Sequence, residues 1–232
     1  MTLRRVKPRG SFDNSGERFF ISVIHTLIIH IVLNLHNSKF CRLKRTLRVY
    51  NSDMTEVLLV RHAKSRANVG DFVAFDNMNS PIVLEGVEQC GELNGRLIRE
   101  FGIDPEQYEE PVAASEFVRP QQTAYVTGFK NIEISPLLNE PDFSRGVLTG
   151  AQIVRKHRKE RWAPEEARVQ ARQLLDKVSG GNFPYFIAFT HGIISATVLL
   201  ELESMGHDMS QHTFDDKRGY VPLQTGTVHL VL

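Results

Sequence analysis

Residues 56–68 read E-V-L-L-V-R-H-A-K-S-R-A-N, and the architecture is decided here. Glu56 to Val60 is short, valine-containing and apolar at successive positions, the pattern of a strand buried on both faces. The run breaks at Arg61-His62, so a core strand is expected to deliver a guanidinium and an imidazole at its carboxyl end. A second run of this kind, Tyr185 to Thr190 (Y-F-I-A-F-T), follows the turn residues Ser179-Gly180-Gly181-Asn182 and ends at His191. Ligands of open α/β sheets bind beyond the carboxyl ends of the strands, so Arg61, His62 and His191 are expected to converge.

Working outward, Pro111–Ala114, Asn131–Ser135 and Thr227–Leu232 are further strand candidates. Val87–Phe101 reads as a helix with Val87, Leu93, Leu97 and Ile98 on one face and Gly102 as its stop. Pro164–Val178 opens with proline and places Glu165 and Glu166 where the helix dipole favours acids. Ile193–Met205 reads as a more buried helix. Strands alternating with helices predict a three-layer α/β/α sandwich with a mostly parallel central sheet.

The 232 residues are 41% hydrophobic and 24% charged, which excludes a disordered or fibrous chain. Two cysteines, Cys41 and Cys90, allow no disulfide framework and no paired metal-ligand spacing, and they suit a reducing, cytoplasmic setting. The net charge of +1 conceals an asymmetry: residues 1–53 hold 10 Lys and Arg against 3 Asp and Glu, the remainder 18 against 24. We therefore read residues 1–53 as a basic and apolar N-terminal extension and 54–232 as the folded domain. The apolar run Phe19–His36 is borderline in length for a membrane span and carries Ser22, His25, Thr26, His30 and Asn34. Two expectations follow: a membrane anchor, or an upstream segment that is not native, with Met54 as the true start.

The stretch L-V-R-H-A-K-S-R-A-N at 59–68 resembles the signature of the histidine phosphatase superfamily, the phosphoglycerate mutase-like proteins. Arg61, His62 and Asn68 match its R-H-G and later Asn, whereas Ala63 stands for the usual Gly and Lys64 for a frequent acid. The resemblance continues in order through S-P-I-V-L-E-G-V-E-Q-C at 80–90, with Val83 where a capping Thr is usual, and A-S-E-F-V-R-P-Q-Q-T-A at 114–124. L-N-E at 138–140 and F-T-H-G at 189–192 complete it, so that nearly all of 54–232 is covered.

The resemblance implies a phosphoglycerate mutase-like fold and a covalent phosphohistidine on His62. An imidazole is a competent nucleophile near neutral pH, and planar, multidentate guanidiniums match phosphoryl oxygens. In that reading Arg61 and Arg119 clamp the phosphoryl group and a protonated His191 donates to it. Glu140 is the general acid, with Asp142 as its alternative. Asn68, Lys64, Arg66 and Gly192 are expected to contact substrate, and no cofactor or metal is implied. The basic run Arg155–Arg161 reads as a solvated helix face that also steers anions.

The expected activity is hydrolysis of a small phosphorylated metabolite. The alternatives are a mutase, a phosphoprotein phosphatase and a non-catalytic phospho-ligand-binding module. The acidic balance of 54–232 argues against nucleic acid as a partner; a membrane becomes one only through Phe19–His36, and the domain is expected as a monomer or homodimer.

Overall fold

A computed structural model describes residues 55–70, 78–141, 150–181, 185–209, 213–214 and 225–232. The N-terminal extension with its Phe19–His36 run, and Asp142, lie outside these residues. Among the described residues six strands occur in chain order: β1 (Glu56–Arg61), β2 (Val112–Ala114), β3 (Ile132–Ile134), β4 (Tyr185–Thr190), β5 (Thr213–Phe214) and β6 (Thr227–Val231). They form one sheet in the order β3-β2-β4-β1-β6-β5. β1, β2, β3 and β4 run parallel, while β6 lies antiparallel to β1 and β5 antiparallel to β6. The sheet is therefore mostly parallel, as the alternation of strand and helix predicts.

Among the described residues there are five α-helices: α1 (Leu84–Arg96), α2 (Val118–Thr127), α3 (Gly150–Glu160), α4 (Glu165–Ser179) and α5 (Gly192–Ser204). Strand periodicity divides the core into two layers. Val57 and Leu59 pack with Leu174, Leu175, Val198, Leu199 and Leu202 of α4 and α5. Leu58 and Val60 turn the other way, toward Leu93, Leu97, Ala124 and Phe129 beside α1 and α2. β1 is buried on both faces for this reason, and its successive apolar residues follow from it. The three layers are α/β/α.

Two helix expectations are corrected. α1 begins at Leu84, three residues before Val87, and a π turn at Leu97–Phe101 follows it before Gly102 closes the run in left-handed backbone at φ 67°. Val87 and Ile98 are exposed; Cys90, Leu93 and Leu97 form the buried stripe. Val83 caps α1 with extended backbone and no side-chain hydrogen bond, the consequence of lacking a hydroxyl at that position. Among the described residues no helix is long and apolar enough to cross a membrane.

Candidate active site

β1 and β4 are parallel neighbours with Arg61 opposite Thr190, so the residues that follow each strand emerge side by side. His62 N–H donates to Thr190 O at 2.9 Å, and the His62 and His191 rings lie edge to face with centroids 5.1 Å apart. Both imidazoles are buried, as is Arg119 from the first turn of α2.

The partners of each ring nitrogen set its proton. His62 Nδ1 donates to Ala63 O at 2.7 Å, and its Nε2 accepts from Arg119 Nε at 3.0 Å. The lone pair is therefore on Nε2, the nitrogen that faces the cation. Ser115 Oγ donates to Asn139 Oδ1 at 2.8 Å and so accepts from His191 Nε2 at 3.1 Å. That leaves His191 Nδ1 to accept from Arg119 Nη2 at 3.2 Å. Burial, then Arg119, then Arg61 push His62 well below the ordinary histidine range. His191 is pushed the same way by burial, His62, Arg119 and Arg61, so in this state it is neutral, in contrast to the protonated donor expected from the sequence.

Glu140 completes the cluster. Its Oε2 accepts from Arg119 Nη2 at 2.8 Å and lies 3.6 Å from His191 Nδ1. Burial raises its pKa, and the Arg119 and Arg61 charges offset only part of that rise. The loop bearing Glu140 is held from two sides: Thr190 Oγ1 donates to Leu138 O at 2.7 Å, and Glu116 N–H donates to Asn139 Oδ1 at 2.9 Å. Arg119 is supported from below by the Phe117 ring, 4.8 Å from its guanidinium carbon, and the same ring packs edge-on against His191.

The loop after His62 is secured by the quoted motifs. Ala63 N–H donates to Thr123 Oγ1, Lys64 N–H to Gln89 Oε1, and Ile82 N–H to Gln122 Oε1, each at 2.9 Å. Gly86 lets α1 approach that loop, since a Cβ there would stand 2.3 Å from Lys64 O. Ala63 is not among the residues with positive φ, so its methyl occupies the usual glycine position without backbone strain.

Arg61, His62, Arg119, Glu140 and His191 are thus brought together, with the Arg61 charge acting on the other four. Gly192 opens α5 directly behind His191, its N-cap. The remaining expected residues are engaged elsewhere. Lys64 Nζ is held by Glu85 at 2.5 Å. Asn68 Oδ1 accepts from Ser65 N–H and Oγ–H, each at 3.0 Å, and so caps the turn Arg66–Val69, on which Arg66 is exposed. Ser115, Phe117 and Asn139 belong to the site and escaped the sequence reading. Ser115 and Phe117 precede Arg119 within one quoted motif, and Asn139 adjoins Glu140, which is the signal the sequence carries. Among the described residues no three of His, Cys, Asp and Glu converge as a metal-binding set.

No family model and no curated protein matches the chain. Among solved structures it is similar to a phosphoserine phosphatase of Entamoeba histolytica, at 17% identity over 72% of this chain and 93% of that one, with a TM-score of 0.48. A mycobacterial glucosyl-3-phosphoglycerate phosphatase aligns at 18% identity over 65% of this chain and 82% of its own, with a TM-score of 0.46. A protein of Thermus thermophilus aligns at 21% identity over 75% and 92%, with a TM-score of 0.49. These are likenesses of fold, and the first two proteins are phosphatases.

Proposed function

We propose that residues 54–232 form a phosphomonoester hydrolase that acts on a small phosphorylated metabolite through a phosphohistidine on His62 and needs no metal. The observation that carries this reading is the His62 ring: buried, neutral, with its Nε2 lone pair turned toward Arg119. A phosphoryl oxygen takes over the Nε–H of Arg119 and frees that lone pair. Nε2 then attacks phosphorus; the P–N bond forms as the ester P–O bond breaks, and protonated Glu140 gives its proton to the leaving oxygen. In the second half, Glu140 as carboxylate takes a proton from water, the water oxygen bonds to phosphorus, and the P–N electron pair returns to Nε2. Arg61 and Arg119 meet the charge spread over the phosphoryl oxygens. The arriving anion also favours protonation of His191 at Nδ1, which turns an acceptor into a donor.

The test is phosphate release from a panel of phosphomonoesters, with chelator present, by the wild-type chain and its His62→Ala variant. Chelator-resistant release that falls by about a thousandfold or more in the variant is expected. Release that survives the substitution overturns the nucleophile, and no release from any ester by the wild type favours a non-catalytic phospho-ligand module.

A further inference from the structure

β1 and β6 pair regularly as far as Val60 opposite Thr227, and the next step of the ladder is different. Arg61 N–H donates to Gly226 O at 3.0 Å, while Thr225 N–H donates to Arg61 O at 3.1 Å. Two residues on one side therefore face a single residue on the other. The first of the two, Thr225, is in left-handed backbone at φ 56°. This is the hydrogen-bond pattern of a G1 bulge, whose first position is ordinarily glycine. Here the glycine is in second place and a β-branched residue, for which left-handed backbone is an outlier, holds the first. Conformations of this kind persist only where their surroundings enforce them, and they gather at functional sites.

One contact that holds the bulge comes from a side chain the proposed reaction does not use. Arg96, the last residue of α1, donates through Nη2 to Thr225 O and, at 3.1 Å, to Thr227 Oγ1. Thr225 and Thr227 are both buried beneath it. The residue across from the bulge is Arg61, whose charge acts on His62, Arg119, Glu140 and His191. Bulges re-aim the side chains around them.

We infer that the Thr225–Gly226 bulge, clamped by Arg96, is a positioning device that aims the Arg61 guanidinium at the phosphoryl-binding cluster. Arg96 and Thr225 are positioning residues and touch no substrate. The inference rests on the proposed phosphoryl site, and the experiment separates the two.

Arg96→Ala, Arg96→Lys, Arg61→Ala and the double variant Arg61→Ala/Arg96→Ala are compared in the full chain. The readouts are the dissociation constant for inorganic phosphate, the NMR titration of the His62 ring, and the thermal midpoint. Arg96→Ala is expected to weaken phosphate binding about tenfold, to move the His62 titration toward that of Arg61→Ala, and to add nothing once Arg61 is absent. Arg96→Lys, which keeps a donor and the charge, restores part of each effect. A lowered thermal midpoint with an unchanged His62 titration, or equal effects of Arg96→Ala with and without Arg61, overturns the inference. Failure of the wild type to bind phosphate counts against the site itself, while the His62 titration still reports whether Arg96 governs Arg61.

Discussion

The two nitrogens of the His62 ring have opposite assignments, one giving a proton to Ala63 O and one receiving from Arg119. His191 is fixed the same way, and Ser115 is what fixes it. Ser115→Ala is therefore expected to lower kcat about tenfold with KM little changed, because His191 loses the acceptor that sets its tautomer while the arginines proposed to bind the phosphoryl group stay. Steady-state kinetics on the best ester checks this; a rise in KM at constant kcat contradicts it. Gly86→Ala forces a methyl against Lys64 O and is expected to cost about 1–3 kcal/mol in urea unfolding, with loss of activity because the displaced loop begins at His62. At this scale the sequence exposes residues whose type announces chemistry, such as His62, Arg119 and His191. It conceals Lys64, whose charge is spent on Glu85, because pairing across separate elements leaves no trace in local composition.

Element boundaries follow the same logic. β4 ends where its apolar run ends, at Thr190, because the residue after it must leave the sheet to join the site. The end of α1 is less legible in the sequence, because Val87 and Ile98 are apolar yet exposed and the π turn breaks the 3.6-residue period of a helical face. Val83 at the head of α1 offers a direct test, since Val83→Thr supplies an oxygen for the first free N–H groups and is expected to raise stability by about 0.5–1 kcal/mol. α4 and α5 are riveted by buried Glu201, which accepts from Arg168 Nε at 2.5 Å and Arg172 Nε at 2.6 Å. Glu201→Ala is expected to cost about 2 kcal/mol, less than for a fully buried pair because both arginines can turn to solvent. Denaturant midpoints of the two variants check both values.

Across the whole molecule, two buried imidazoles held below their ordinary range make stability depend on pH. As pH falls through about 6.5 the unfolded chain takes up protons that native His62 and His191 refuse, so stability drops by up to about 1.4 kcal/mol per pH unit for each ring. Glu140 acts in the opposite sense, because its raised pKa lets the native state keep a proton that the unfolded chain has lost. Urea midpoints between pH 7.5 and 5 are expected to fall for the wild type and to flatten in a His62→Asn/His191→Gln variant; a wild-type curve that is already flat contradicts the burial argument. The sheet order has a further consequence, in folding kinetics. β1, which carries Arg61 and leads into His62, is central and takes β4 and β6 as partners, both far downstream in the chain. Loop-closure entropy must be overcome before either pairing forms, which makes such topologies slow to fold. During synthesis an apolar strand buried on both faces therefore emerges before the other described strands and waits longest for its partners, so the segment that leads into the candidate site is also one that needs protection from aggregation while the chain is being made.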